Sequence, residues 1–368
     1  MSKTSYVSSS AKIKVIGVGG GGCNAVTRMV REQVHGVEFI AMNTDTRSLA
    51  ITEAPIRLQI GEKITQGLGA GGDHKVGEEA ANASRDDIIE VIQGADMIFI
   101  TAGMGGGTGT GATPLIAELA KKSGALTITI VTKPFNFEGN HRAKVADEGI
   151  RNLLEKGDTL IIIPNDRLLQ LCDNKVSIDF AFKLADQVLY NSVQAIAEVV
   201  TVPGLINLDL ADIRAVMKDA GPAWMSIGKG SGLNRAVDAA KAALSSPLLE
   251  VSMEGATGVL FNITGGSDLS LVEVSAAAEI IQKATSPNAN IIFGVVLNPD
   301  LGKDVMLTII ATGFNTQKKP DIAKWEKEMG HLLKGESTEL DAPTFLRNKT
   351  IIQDHHNQPT VPLNKRTR

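Results

Sequence analysis

Residues 105–111 read Gly-Gly-Gly-Thr-Gly-Thr-Gly, and they follow the apolar run Met97-Ile98-Phe99-Ile100. Five glycines and two hydroxyls within seven residues, at a strand's exit and a helix's entrance, make a surface of bare backbone N–H groups. A polyphosphate needs such a surface: no Cβ in the way, donors pointing outward and a helix dipole behind them. A tight strand-to-helix turn is the plainer alternative, but one or two glycines would suffice for that.

A second cluster, Gly17-Val18-Gly19-Gly20-Gly21-Gly22, matches G-x-G-x-x-G directly after the apolar run Ile13–Val18. Asp45 lies near the end of the next strand, so this unit alone fits a dinucleotide fingerprint and an NAD-dependent oxidoreductase is a rival. A nicotinamide unit needs only one glycine-rich phosphate turn, whereas two such turns suit a triphosphate. No G-x-x-x-x-G-K-[ST] occurs, which excludes a P-loop nucleotidase. A third glycine-rich stretch, Gly67-Leu68-Gly69-Ala70-Gly71-Gly72, reads equally as a loop over the same phosphates or as a flexible surface loop.

Around these turns the first half alternates strand and helix signals, with further apolar runs at Val37–Met42, Leu126–Val131 and Leu160–Ile163. Helical stretches at Ala112–Lys121 and Ala143–Leu154 complete the rhythm of a parallel α/β sheet. A long helix is expected over Ile178–Thr201, stopped by Val202-Pro203-Gly204. A second, smaller α/β unit follows. Its expected helices are Ala211–Met217, Leu233–Leu244 and Leu271–Ala284, and its strands Met225–Ile227, Val259–Thr264, Ile291–Leu297 and Met306–Ala311. The last two strands are expected to form a hairpin around Asn298-Pro299-Asp300. From Thr316 the periodicity fails and the charge reverses to +3, against −7 for residues 1–315, as in a disordered tail. Ile322, Trp325, Met329 and Leu332 leave a short amphipathic helix or scattered linker residues as equal alternatives.

The 368 residues are 43% hydrophobic and 21% charged but only 4% aromatic, so the cores must be aliphatic. The net charge of −4 argues against a general nucleic-acid binder. Two cysteines, Cys23 and Cys172, are too few for a disulfide framework or metal cluster. Met1–Ser10 is polar without a secretory apolar core, and no run reaches membrane-spanning length, so a cytoplasmic setting is expected.

Residues 105–111 are similar to the signature of the tubulin superfamily, and their surroundings resemble its FtsZ family of bacterial cell-division GTPases. Further matches are Gly19–Asn24, Asn43-Thr44-Asp45, Pro134-Phe135-Asn136-Phe137-Glu138-Gly139, Pro164-Asn165-Asp166 and Gly204-Leu205-Ile206-Asn207-Leu208-Asp209 before Ala211-Asp212. The resemblance runs in one register from about Ala11 to Asn315. It implies a disordered N-terminus (1–11), a Rossmann-like GTP-binding domain (12–176), a connecting helix (177–202), a C-terminal domain (203–315) with a catalytic loop (204–212), and a tail (316–368).

The resemblance also assigns roles. Gly20, Gly21, Gly22, Cys23 and Asn24, with Gly107, Thr108 and Gly109, would hold the phosphates of GTP or GDP, with Mg²⁺ as cofactor. Glu138 and Arg142 would contact the ribose and phosphate side, although an i,i+4 surface ion pair is the plainer reading. Asn165, Phe182 and Asp186 would form the guanine pocket, the carboxylate accepting from N1–H and the N2 amino group, which adenine cannot supply. Without the resemblance, Phe182 reads as a core aromatic. Asp209 and Asp212, with Asn207, would position water on the next subunit's GTP, while spacing alone makes the pair a helix N-cap. Leu210 departs from the aromatic residue common there, which bears on the packing of the loop.

Leu340–Arg347 resembles the family's partner-binding peptide, with Asp341, Pro343, Phe345, Leu346 and Arg347 in place and Ala342 for a larger aliphatic. The implied function is a GTP-hydrolysing, head-to-tail filament former of the midcell division ring. It would reach membrane-tethering and regulatory partners through the tail, without nucleic acid or direct membrane insertion. A non-catalytic nucleotide-gated scaffold is the second rival.

Overall fold

Glycine decides where the helices of the first half can approach one another, and that approach builds the sheet's ligand-bearing end. The computed structural model describes residues 11–170, 177–201, 209–249 and 252–314. All of them belong to a compact unit that ends at Phe314. Its first half runs β1 (Ile13–Val18), α1 (Gly19–Arg31), β2 (Val37–Asn43), α2 (Thr46–Ile51), β3 (Ile56–Gln59), α3 (Glu62–Thr65), α4 (His74–Ala83) and α5 (Arg85–Ile92). There follow β4 (Met97–Gly103), α6 (Gly107–Lys122), β5 (Leu126–Lys133), α7 (Asn140–Leu153), β6 (Thr159–Pro164) and α8 (Asn165–Leu169). The long α9 (Ile178–Thr201) leads to α10 (Leu210–Met217), β7 (Gly221–Gly230), α11 (Arg235–Leu244), β8 (Gly258–Gly265), α12 (Leu271–Ala284), β9 (Asn290–Leu297) and β10 (Val305–Thr312).

The strands form a ten-stranded sheet in the order β3-β2-β1-β4-β5-β6-β7-β10-β8-β9. The first seven are parallel neighbours throughout. Their order reverses between β1 and β4, and ligands of such sheets bind at that switch point, beyond the carboxyl ends of the strands. Both glycine clusters leave strands there. Beyond β7 the sheet is mixed: β10 is antiparallel to β7 and β8, and β9 is parallel to β8.

The expected hairpin between β9 and β10 does not form. The chain leaves β9 through a 3₁₀ turn at Pro299–Leu301 and passes β8, so that β10 enters between β7 and β8. Burial explains the arrangement. Val305–Thr312 is almost wholly buried and needs a neighbour on each edge, whereas β9 is partly exposed and takes the outer position. The sequence reading also omitted β3, a half-exposed edge strand, and began α6 five residues late at Ala112, because glycine hides a helix start.

The core is aliphatic, as the composition requires. On one face Val15, Phe99, Ile128 and Ile161 meet α1 and α9, and this layer continues to Leu260 and Ile310. On the other, Ile16, Ile40, Ile100 and Val131 meet the helices between α4 and α7. A third cluster joins Val259, Phe261 and Leu307 to α11 and α12. The expected stop at Val202-Pro203-Gly204, Cys172, the N-terminal ten residues and the tail beyond Phe314 lie outside the described residues.

Several glycines of the 105–111 run serve helix packing. A Cβ on Gly111 would lie 1.9 Å from the His74 carbonyl oxygen and 2.6 Å from the Glu78 nitrogen, both backbone of α4. Gly77 of α4 presses on the Gly107 carbonyl in the same way. Gly106, in contrast, faces open space. Gly111→Ala is therefore expected to cost about 1–3 kcal/mol of unfolding free energy, as overpacking does. Gly106→Ala should stay within about 0.5 kcal/mol of the parent. Urea unfolding midpoints of the two variants check this directly.

Candidate functional site

A cleft of about 620 Å³ opens at the carboxyl ends of β1 and β4. Its floor is made of two helix beginnings. α1 and α6 both lack a side-chain cap and an acidic residue in the first turn, so their leading N–H groups and positive dipole ends stay available. The two turns touch: a Cβ on Gly19, which has φ +70°, would lie 2.8 Å from the Gly109 nitrogen. Gly20 and Gly106 have nothing within 4 Å where a side chain would stand, and both line the cleft. An anion of polyphosphate size fits this floor.

Gly69, Ala70, Gly71 and Gly72 form a wall of the same cleft, in keeping with the first of the two readings of that loop. Gly69, Gly71 and Gly72 all have left-handed φ, a conformation that glycine adopts without strain. The loop is tied down where Thr46 N–H donates to the Gly67 carbonyl at 3.1 Å. Beneath it the hydroxyls of Thr44 and Thr108 hydrogen-bond at 2.6 Å, joining β2's exit to α6.

Of the residues expected at the phosphates, Gly20, Gly21, Asn24, Gly107, Thr108 and Gly109 line the cleft. Gly22 and Cys23 stand behind them. A Cβ on Gly22 would meet the Thr101 carbonyl at 2.3 Å, so this glycine lets α1 pack on the sheet. The Cys23 Sγ lies 3.7 Å from the carbonyls of Gly17 and Met42, and burial pushes its pKa up to about 12. Its thiol is a core group.

Glu138 and Arg142 line the next wall and are also the expected ion pair, at 2.7 Å. The second Glu138 oxygen accepts the Phe135 N–H at 2.9 Å, so the carboxylate is held from two sides. At the far end stand Asn165, Phe182 and Asp186. Phe182 is 42% exposed and meets Phe135 edge-on at 5.5 Å, so it is a cleft aromatic with an open ring surface. Asn165 is 4% exposed, yet its Oδ1 has no hydrogen-bond partner. Such a group is costly unless a ligand completes it. Burial raises the Asp186 pKa to about 6, against the opposing charge of Arg28. The lining also includes Asn43, Asp45, Ser48, Met104 and Thr132, which the sequence reading did not assign. Asn43 and Asp45 were visible in a motif, Asp45 with a role only under the dinucleotide reading; Met104 and Thr132 carried no signal of their own.

Asp209 and Asp212 are not among the lining residues. They close a reciprocal capping box on α10, with Asp212 N–H donating to Asp209 Oδ1 at 2.9 Å and Asp209 N–H to Asp212 Oδ2 at 3.2 Å. Leu210 packs partly buried against the core, so its departure from an aromatic leaves the helix start seated. Arg214, one half-turn on, donates to the Asp96 carbonyl at 2.9 Å and the Gly124 carbonyl at 3.3 Å. Those carbonyls precede β4 and β5, so α10 lies at the amino ends of the parallel strands and the cleft at their carboxyl ends. The seven residues of β4 alone span about 23 Å between the two. Asn207 lies outside the described residues. Among the described residues no group of three or more His, Cys, Asp or Glu could hold a metal ion, and no helix is long and apolar enough to cross a membrane.

Residues 12–173 match the model of the Tubulin/FtsZ family GTPase domain, and residues 221–315 that of the FtsZ family C-terminal domain. Among solved structures, an empty FtsZ dimer from M. jannaschii is 45% identical, with a TM-score of 0.81, over 83% of this chain and 89% of that one. The GDP-bound CetZ1 monomer from Haloferax volcanii is 20% identical, with a TM-score of 0.72, over 88% of this chain and 99% of that one, a likeness of fold. The oxidoreductase reading of Gly17–Gly22 is thereby set aside. With a polyphosphate cleft at the switch point, both domains matched in order and close identity along most of its length, the chain belongs to the Tubulin/FtsZ family and is a GTPase with an FtsZ-type C-terminal domain.

Proposed function

We propose that this GTPase is a polymerising cell-division protein whose head-to-tail filaments form the cytokinetic ring at midcell, and that GTP is hydrolysed between successive subunits. One observation carries the reading. The nucleotide cleft and the Asp209/Asp212 carboxylates stand at opposite ends of the same parallel strands, so one subunit cannot bring its own acids to its own phosphates. Stacking copies in one direction brings the acids of each to the cleft of the next, and such a heterologous contact propagates as a filament. The relative solved as a dimer is in keeping with self-association.

In the proposed site the α1 and α6 turns hold the phosphates, Glu138 and Arg142 the ribose side, and Asn165, Phe182 and Asp186 the guanine. The neighbour's Asp209 and Asp212, helped by Asn207, orient and polarise water for attack on the terminal phosphate. Mg²⁺ fits a site without a metal-ligand cluster, because that ion keeps several waters and takes phosphate oxygens. Thr108, Asp45, Asn43 and Ser48 are among the oxygen-bearing side chains that line the cleft and could hold it. When bound, the ion would offset phosphate charge. The domain limits 12–176, 177–202 and 203–315 belong to the same proposal, as does partner binding by Asp341, Pro343, Phe345, Leu346 and Arg347.

Turnover per subunit should rise with protein concentration through an assembly threshold. Asp212→Asn should lower it by about 10²-fold, the usual share of a general acid–base group, without changing GDP affinity. Light scattering and phosphate release on one dilution series measure both; a flat specific activity rejects shared catalysis.

Guanine binding needs Asp186 ionised. With a pKa of about 6 in the free chain, GDP affinity should be level above pH 7 and fall toward about tenfold per unit below pH 6. The sign for stability is opposite. A carboxyl raised on folding favours the protonated form, so the free chain loses stability as pH climbs from the ordinary Asp value near 3.8 to about 6. Asp186→Asn should therefore raise the melting temperature of the nucleotide-free chain at pH 7.5, weaken GDP binding and flatten its pH dependence. Calorimetric titration with GDP at pH 7.5, 6.0 and 5.0 tests the last two, and thermal melting of the nucleotide-free variant and parent at pH 7.5 tests the first.

Truncation after Asn315 should leave GTP-dependent assembly intact and abolish binding to a membrane-tethering division partner. Phe345→Ala with Leu346→Ala should reproduce that loss at full length in a co-sedimentation assay.

A further inference from the structure

We infer that Arg214 and Lys121 are positioning residues for the Asp209/Asp212 carboxylates, so that the catalytic geometry a subunit offers its neighbour is set by its own nucleotide domain. This rests on the proposal that catalysis is shared between subunits.

α10 is only eight residues long, and a helix that short has little stability of its own. Ile213, Val216 and Met217 bury its inner face, but such apolar contacts do not fix its azimuth or its tilt. Directional bonds do. At its middle, the Arg214 guanidinium reaches two main-chain carbonyls on different turns, and one of these, Asp96 O, also accepts the Leu126 N–H at 3.0 Å. The anchor is therefore built into the pairing of β4 with β5 and does not yield to a side-chain rotation. At its end, the last-turn carbonyls of Val216 and Met217 lack intrahelical partners. They accept the hydroxyls of Thr312 at 2.9 Å and Thr159 at 2.5 Å, from β10 and β6, the strands that flank β7.

The exit from α10 is held as firmly. Asp219 has a left-handed φ of +52°, unusual for a non-glycine residue. Its N–H donates to the buried Asp158 at 3.3 Å, and its carboxylate receives Lys121 Nζ at 2.6 Å. Lys121 also donates to the Gly157 carbonyl at 3.0 Å and faces Asp158 at 3.6 Å. It sits in the last turn of α6, the helix whose first turn is the phosphate floor, and Gly124, which accepts from Arg214, follows that helix directly. A helix of sixteen residues, about 24 Å long, thus has the nucleotide at one end and the mounting of the catalytic helix at the other.

Neither Arg214 nor Lys121 lines the nucleotide cleft, so their loss should spare nucleotide binding and act on turnover. The test measures GDP affinity, sedimented polymer and phosphate release on the full chain for Arg214→Met, Lys121→Met, Arg214→Lys and Asp212→Asn. Arg214→Met and Lys121→Met should bind GDP within twofold of the parent and assemble, with turnover per assembled subunit down tenfold or more. Arg214→Lys should recover part of that loss, since an ammonium can still reach one carbonyl. Parental turnover per assembled subunit in both methionine variants, with Asp212→Asn inactive, overturns the positioning role alone. If Asp212→Asn itself turns over GTP normally, it is shared catalysis that fails. Loss of GDP binding in both methionine variants would assign the two residues to folding and would equally overturn the inference.

Discussion

The free N-termini of α1 and α6, converging on the crevice between β1 and β4, are the constraint around which the nucleotide domain is arranged. Neither helix start carries a side-chain cap, so the donors that a capping residue would satisfy are left for a ligand. Bringing two such ends together requires glycine where they touch, at Gly19 against Gly109. It also requires glycine where the supporting helices press in behind, at Gly77, Gly107 and Gly111. A side chain at any of these would separate the turns or tilt a helix. The hydroxyl pair Thr44–Thr108 then locks the second turn to β2. The glycine richness is thus one requirement met at two levels, ligand access and helix approach.

The same strand direction that gathers the donors at one end sends α10 to the other. β7 leaves α10 and pairs in parallel with β6, so the chain must start it at the amino ends of the sheet. Arg214 and the Thr159 hydroxyl fasten α10 there. The capping box that orients Asp209 and Asp212 also leaves each carboxylate with an oxygen outside the box's own bonds. A cap and a catalytic pair are compatible roles, and the cap reduces the freedom the acids would lose on meeting a substrate.

How much of this was legible follows from how local each signal is. Ile13–Val18 and Ile178–Thr201 announce themselves as an aliphatic run and a long helical period whose sequence limits fall on the observed ones, and the run from Met97 announces the start of β4. The β9–β10 crossover was not legible, because chain adjacency suggests a hairpin and only the burial of both edges of β10 argues otherwise. In the site, the glycine runs were visible because phosphate contact uses backbone. Asn165 and Phe182 were not, since one begins a short helix and the other lies on α9, and only the fold brings them together. They entered through resemblance. Gly22 and Cys23 show what a contiguous motif hides: the same run turns one face to the cleft and the other to the core.

If Asp186 meets guanine as proposed, that end of the cleft is built at the expense of the empty chain. Burial against α1 raises its pKa, and the Arg28 charge offsets only part of that cost. Arg28 cannot do more, because its guanidinium also serves the Lys183 carbonyl and Gln187 farther along α9, and its Nε is buried without a partner. A closer Arg28–Asp186 pair would stabilise the free chain, but it would occupy the lone pairs that a guanine base must find open. Asn165 follows the same logic with a neutral group, keeping a buried acceptor unpaired beside the exposed face of Phe182. On the proposed reading, three residues bear unmet demands that one base satisfies together. A base lacking donors at N1 and N2 would leave the Asp186 charge and the Asn165 oxygen still buried and unpaired, so discrimination here comes from the cost of the wrong ligand more than from the strength of the right one.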